Sequence, residues 1–293
     1  MKVLLTGASG FIGSAIGKEL IRRGHNVTGL IRNKSSEEQI LRCGMEVCLG
    51  DITNPKSFLS YIEKVDAVIH TAFNHNFSQY EANCKADGDF LDIIANAMID
   101  SNKILIATSA TTVAASGEVS YETDSAINTI PRSASERFLA FRYKGLKTAV
   151  VRLPPIVHGE GDKAFMPALI ALAKKKGVSA YINEGENQWC AVHRLDAARL
   201  YCDVLENSFS THIYHGVTEP RLSFRSIAQA IGKKLNLPVR SISSKQADEH
   251  FGWLATFAKT HMPASSTLTT QQTGWHAREN RVLDDLNSSN YSL

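Results

Sequence analysis

Gly7, Gly10 and Gly13, spaced G-x-x-G-x-x-G in the opening stretch MKVLLTGASGFIGSAIGKELIRRGHNVTGLIR, do chemistry by what they lack. Gly7 lets the chain turn sharply after an apolar run. Gly10 removes a Cβ where a pyrophosphate would approach the backbone, and Gly13 lets the next helix pack close to the strands. A helix N-terminus at this point offers unpaired N–H groups and a partial positive charge to phosphates. Ser9, Phe11 and Ile12 complete the cradle. Farther on, Arg32 and Lys34 meet no carboxylate before Glu37. A dinucleotide fold that prefers NAD places Asp or Glu there for the ribose 2′-hydroxyl, whereas Arg accommodates a 2′-phosphate. The expected ligand is therefore NADP(H), with NAD(H) possible. His75 and Tyr121 are the loop groups that could reach a substrate.

The elements that must hold these residues alternate in type. Residues 2–6 read as a buried strand, 11–23 as a helix apolar at 12, 16, 20 and 21 and closed by Gly24, and 26–31 as a second strand. Strands at 45–49, 66–70, 103–108 and 148–153 follow, with helices at 36–42 and 80–100 between them. Alternation of this kind predicts an α/β Rossmann-type doubly wound parallel sheet. His75 then lies at the carboxyl end of the sheet, where such folds bind ligands. The dinucleotide domain is expected over 1–160, and a strand and helix around 191–217 return to it. Residues 161–190 and 218–293 form a small C-terminal α/β substrate lobe. In that lobe Phe251, Trp253, Leu254 and Phe257 read as core, Ser223 as a helix cap and 287–293 as a loose tail, while Asp196 reads as the cap of the returning helix.

The bulk numbers exclude several classes. A net charge of +3 over 293 residues argues against nucleic acid or an acidic membrane surface. No stretch approaches the 18 or so apolar residues that a membrane span needs. The five cysteines are odd in number and form no C-x-x-C pair, which fits a reducing, cytoplasmic setting without disulfides or a metal site. A small-molecule substrate is the expected partner.

The run TGASGFIGS…GHNVTGLIRNK resembles the extended and atypical short-chain dehydrogenases/reductases, its first half especially the NADP-dependent dihydroflavonol-reductase-like members. The resemblance covers nearly the whole chain and extends to the epimerase/dehydratase-like proteins. It implies that Asp51 and Ile52 hold the adenine. It implies that Thr71, Ala72 and Phe73, after His70, run under the nicotinamide ribose and phosphates. Pro154 and Val157 match the segment whose backbone faces the nicotinamide, with His158 where Tyr is usual. Ser109 matches the catalytic Ser or Thr. The long helix at 80–100 is one that the family often uses for a homodimer.

The resemblance also exposes a gap. The family's acid/base is Tyr-x-x-x-Lys, in which lysine lowers the tyrosine pKa and tyrosine exchanges the proton. Aligning Ser133-x-x-Glu136, which reads as a capping box, puts Ile130 where tyrosine belongs and Ala134 where lysine belongs. The literal Tyr143–Lys147 match is excluded, because Gly145 between them closes a helix. Three readings remain open: an NADP-dependent reductase of a carbonyl or imine, a nucleotide-sugar-type epimerase or dehydratase, and a non-catalytic dinucleotide sensor. Loss of the tyrosine counts against the second. For the first, Ser109, Tyr121 and His75 are the candidates around the reacting group, Ser109 as a hydrogen-bonding rather than proton-releasing group.

Overall fold

The computed structural model describes residues 1–114, 118–207, 211–287 and 291. Seven strands form one sheet in which every neighbouring pair is parallel. They are β1 Lys2–Thr6, β2 Asn26–Ile31, β3 Glu46–Leu49, β4 Ala67–His70, β5 Ile104–Ala110, β6 Lys147–Leu153 and, from later in the chain, Ile213–His215. From one edge they run Ile213–His215, β6, β5, β4, β1, β2, β3. The order reverses between β1 and β4, and a crevice opens there at the strands' carboxyl ends.

Both faces of the sheet are covered, which explains why its strands are apolar without alternation. On one face α1 (Phe11–Arg22) packs beside a helix at Arg194–Glu206, over Val3, Leu5, Ile69, Ile106 and Val151. After α2 (Glu37–Arg42) and α3 (Leu59–Ile62), α4 (Tyr80–Ala97) covers the other face with a 3₁₀ helix at Pro131–Lys144, over Leu4, Val68, Leu105 and Val150. Side chains three apart stack on one line in a 3₁₀ helix. Arg132, Ser135 and Phe138 accordingly form one buried row, with Glu136 and Leu139 beside it.

This corrects the α-helical register assumed for the segment. The Ser133–Glu136 capping box does not form: Ile130 holds the N-cap position without a side-chain bond. Glu136 instead turns inward and accepts two hydrogen bonds of 2.8 Å from the buried Arg152. Gly145 does close the helix, at φ 75°, and Tyr143 stands 79% exposed, so Tyr143 and Lys147 form no functional pair.

The lobe follows β7 (Ile156–His158) and contains α5 (Phe165–Lys176), β8 (Ser179–Ile182) and β9 (Gln188–His193). The chain returns to the first domain through α6 (Arg194–Glu206) and β10 (Ile213–His215). It then completes the lobe with β11 (Glu219–Ser223), α7 (Phe224–Leu235), β12 (Val239–Ile242), α8 (Ala247–Phe251), α9 (Ala255–Lys259), α10 (Thr267–Thr273) and α11 (Val282–Asn287). Ser223 caps α7, accepting from the Ser226 N–H at 3.1 Å. Asp196 is not a cap, because His193 occupies that place and accepts from the Leu195 N–H. Asp196 is buried and accepts from the N–H groups of Arg278 and Glu279, tying the C-terminal segment down. Of the expected loose tail, 288–290 and 292–293 lie outside the described residues. Tyr291 is 6% exposed and donates to Asp162 at 2.7 Å. All five cysteines are free, and among the described residues no helix is long and apolar enough to cross a membrane.

Candidate active site

The turn after β1 is built by close backbone approach. Gly7 has φ +70°, and its carbonyl accepts from the Gly10 N–H at 2.8 Å. A Cβ on Gly7 would stand 2.7 Å from the Ala72 N and the Thr71 Oγ1; one on Gly13 would stand 2.1 Å from the Gly7 carbonyl oxygen. Only glycine fits at either place. Gly13 thus serves the turn itself, a tighter role than helix–strand packing. At Gly10 a Cβ would meet only the Gly7 carbonyl, at 3.0 Å, and the other side is open space. No side chain caps α1, and its first turn carries no acid. Bare N–H groups beside an open glycine suit a diphosphate. Ser9 is held by its carbonyl, which accepts from Gln39 Nε2 at 2.9 Å, and the Arg194 guanidinium stands 5.1 Å from the Phe11 ring centre. Gln39 and Arg194 do not stand out in the sequence; only the cation two residues before Asp196, at a strand-to-helix turn, marks Arg194.

Arg32 and Lys34 are exposed just past β2 and form no ion pair among the described residues. Asp51 and Ile52 follow β3; Asp51 Oδ1 accepts from the Thr53 N–H at 2.8 Å, leaving the second oxygen for other partners. Thr71 Oγ1 donates to the Thr6 carbonyl at 2.8 Å, which lays Thr71 and Ala72 across the glycine turn and delivers Phe73 to the crevice. Pro154 and Val157 lie on either side of the β6–β7 junction, Pro154 buried.

The missing Tyr-Lys pair leaves the crevice with a different group. Ile130 precedes the 3₁₀ helix, and Ala134 presses on α4, its carbonyl oxygen 2.7 Å from where a Cβ on Gly88 would stand. Arg132 points inward instead. It donates from Nη1 to Asp87 Oδ2 and from Nη2 to the Thr108 carbonyl, both at 2.7 Å, and its Cζ stands 4.1 Å from the Phe73 ring centre. Asp87 Oδ1 accepts from His70 Nε2 at 2.9 Å, and His70 Nδ1 bonds Thr6 Oγ1 at 2.7 Å. Burial pushes the Asp87 carboxyl upward, but the Arg132 charge and the His70 bond outweigh it and hold it below its ordinary value. The sequence pointed past Arg132 because an α-helical register aims 130 and 134 at the site.

The three sequence candidates are not joined to one another by hydrogen bonds among the described residues. Ser109 lies within β5, 3% exposed, its Oγ without a partner among the described residues. Tyr121 is 49% exposed in a loop pinned at Ser120 to Pro263 and Ser265. His75 stacks edge-on against Phe73 at 5.2 Å. Desolvation by its neighbours, helped by the Arg132 charge, lowers the His75 pKa, so a neutral ring is the rule near pH 7 and it is a poor proton donor.

A separate cluster joins β7, β9 and α11, where His158, His193 and Asp285 bring ligand-type atoms within 4.8 Å of one another. Asp285 Oδ2 accepts from His158 Nδ1 at 2.7 Å. Because His193 Nδ1 accepts from Leu195, its Nε2 keeps the proton, so the cluster reads as a clamp on α11 rather than a metal centre.

Known proteins share the fold. The model of the family described as "NAD dependent epimerase/dehydratase family" matches residues 3–215. An uncharacterized protein of Schizosaccharomyces pombe is 41% identical, covering 99% of this chain and all of its own. A 2-alkyl-3-oxoalkanoate reductase of Stenotrophomonas maltophilia is 28% identical over 64% of this chain and 60% of its own. Among solved structures, a UDP-glucose-4-epimerase from Stenotrophomonas maltophila with bound NAD shares the fold, with a TM-score of 0.76 at 20% identity over 98% of this chain and 95% of that one.

Proposed function

The chain belongs to the NAD-dependent epimerase/dehydratase family, and on that premise we propose that it is an NADP(H)-dependent reductase of a small-molecule carbonyl, working without the family's Tyr-Lys pair. The observation that carries the proposal is Arg132, fixed by Asp87 and laid over Phe73 beside the glycine turn.

A bound nicotinamide dinucleotide supplies the hydride. Gly7, Gly10 and Gly13 hold its diphosphate with Ser9, Phe11, Ile12 and Arg194 around them. Asp51 and Ile52 flank the adenine, Arg32 and Lys34 take the 2′-phosphate, and Thr71–Phe73, Pro154 and Val157 border the nicotinamide side. Arg132 has five N–H donors, of which the structure commits two. It donates to the carbonyl oxygen and stabilises the negative charge that grows there, without giving up a proton itself. Ser109 adds a hydroxyl, and water replaces the proton that tyrosine gives elsewhere in the family. A cationic imine would meet the guanidinium as a like charge, so the carbonyl is favoured over the imine. The relative named a 2-alkyl-3-oxoalkanoate reductase supports the same reading.

The test is a fluorescence titration with NADPH and NADH, followed by NADPH oxidation against a carbonyl panel. NADPH is expected to bind more tightly. Arg32→Ala should cost about 1.5 kcal/mol of NADPH binding, the low end for an exposed charge-assisted bond, and leave NADH unchanged. Equal binding of both by the unmutated protein would refute the NADP preference. Tight NADPH binding with no carbonyl turned over would leave a dinucleotide sensor in place of the reductase.

A further inference from the structure

The clamp on α11 holds the two strand ends from which Arg194 and its anchor leave. His158 ends β7 and His193 ends β9, and the two stand opposite each other in that parallel pair. Asp285, from α11, serves both rings. Its Oδ2 accepts from His158 Nδ1 at 2.7 Å and stands 3.6 Å from His193 Nε2. All three residues are buried. Burial lowers the pKa of both histidines, so near pH 7 each ring is neutral and has a single N–H to give.

Just past each ring the chain turns toward the glycine turn. Arg194 follows His193 as the first residue of α6, and Gly159 and Glu160 follow His158. Arg194 Nη1 donates to the Glu160 carbonyl, and the guanidinium lies over Phe11, the first residue of α1. Among the described residues that is its one hydrogen bond, and no carboxylate pairs with it. Four of its five N–H groups remain for a ligand. A positive charge placed over the uncapped, positive end of a helix is unfavourable until an anion joins them. The C-terminal segment is tied to the same corner. Asp196, two residues beyond Arg194, accepts from the N–H groups of Arg278 and Glu279. Asp162, two residues beyond Glu160, accepts from the Tyr291 hydroxyl. The ties bracket Arg194 and its anchor.

We propose that Asp285 is a positioning residue for the dinucleotide. By holding His158 and His193 it fixes Arg194 against the diphosphate, and the C-terminal segment thereby forms part of the cofactor site. This rests on the dinucleotide reading above, but on neither the NADP preference nor carbonyl reduction. The diphosphate is common to NADPH and NADH, so Arg194 acts on both alike, whereas Arg32 acts on NADPH alone.

The experiment is a fluorescence titration of the whole chain with NADPH and with NADH. Arg194→Ala should weaken both by the same factor, about tenfold or more, the scale of a lost charge-assisted bond. Asp285→Ala should weaken both by about threefold to tenfold. Asp285→Asn keeps an oxygen for His158 and should restore most of that loss. In the Arg194→Ala background Asp285→Ala should cost nothing further, because the carboxylate acts through the arginine. Melting temperatures identify the variants that stay folded. If Asp285→Ala does not fold, Gly159→Ala makes the same test without removing a buried charge. Its Cβ would stand 2.7 Å from His193 Nε2 and 3.2 Å from Arg194 Cγ, so it displaces the arginine directly. Its loss too should vanish in the Arg194→Ala background. Unchanged affinity in Arg194→Ala, a loss confined to NADPH, or losses that add in the double variant would overturn the proposal and leave the clamp structural. Failure of the unmutated protein to bind either dinucleotide overturns the cofactor reading itself, and this proposal with it.

Discussion

Arg132 and Arg152 are both buried and both held by a carboxylate, yet they are placed for opposite ends. Arg152 is fully enclosed, and four bonds engage four of its five N–H groups: two to Glu136, one to the Asp124 carbonyl at 2.9 Å and one to His215 Nε2 at 3.4 Å. Arg132 makes two bonds and lays one face of its guanidinium over a ring at the crevice. An arginine enclosed and bonded on all three nitrogens joins elements, here β6 to the 3₁₀ helix and the 124 loop. An unsaturated one at a crevice keeps donors for a ligand. The difference teaches that burial and pairing alone do not mark a functional charge; the count of uncommitted donors does.

Breaking the enclosed pair should have the largest effect. Arg152→Met leaves Glu136 buried and unpaired, a loss of about 3–5 kcal/mol in urea unfolding. If the folded fraction still turns over substrate normally, the comparison stands. If stability is unchanged, Arg152 is not the joint described.

Arg132→Met tests the other side. Turnover should fall about a hundredfold or more, the scale for one donor on a developing oxyanion, with NADPH binding within a few-fold of the parent. Arg132→Lys should recover little, because Asp87 and the Thr108 carbonyl are spaced for two guanidinium nitrogens. A turnover number unmoved by Arg132→Met would make this arginine structural too.

Acid should reveal the enclosed site first. Burial, helped by the Arg152 charge, pushes the His215 pKa down from 6.5 to about 4. The unfolded chain therefore takes up a proton between those values that the folded chain refuses, so stability is full above pH 6.5 and declines toward pH 4. The loss should approach roughly 3 kcal/mol and vanish in His215→Gln. Equal acid sensitivity in that variant would assign the effect elsewhere.

Ser109 pairs in register with Arg152 across the β5–β6 ladder but carries an uncommitted hydroxyl. Ser109→Ala should lower turnover up to about a hundredfold and barely move stability. Full activity in Ser109→Ala, with Tyr121→Phe dead, would move the hydrogen bond to Tyr121.

The parallel sheet was legible because its strands are short apolar runs between glycine turns, and each strand expectation falls within three residues of the observed one. The cradle was legible because Gly7 and Gly13 admit no other residue. Arg132 was not, since nothing local shows that Pro131 opens a threefold rather than a 3.6-fold helix. Glu136 was misread because Ser-x-x-Glu is a local signal, and Arg152, sixteen residues on, competes better for the carboxylate. Trp253 was misread as core because spacing separates helix faces but does not say which face stays in solvent, and Trp253 is 55% exposed.

The contact between Ala134 and Gly88 bears on how this site could be rebuilt. With the Ala134 carbonyl 2.7 Å and its Cβ 3.0 Å from a Cβ position on α4, a side chain at 134 begins against a neighbouring helix, not at the cofactor. Writing tyrosine at 130 and lysine at 134 would thus not install the family's usual Tyr-Lys pair at the site. The backbone would first have to rewind, and rewinding withdraws Arg132 from Asp87. The two designs exclude each other in one chain.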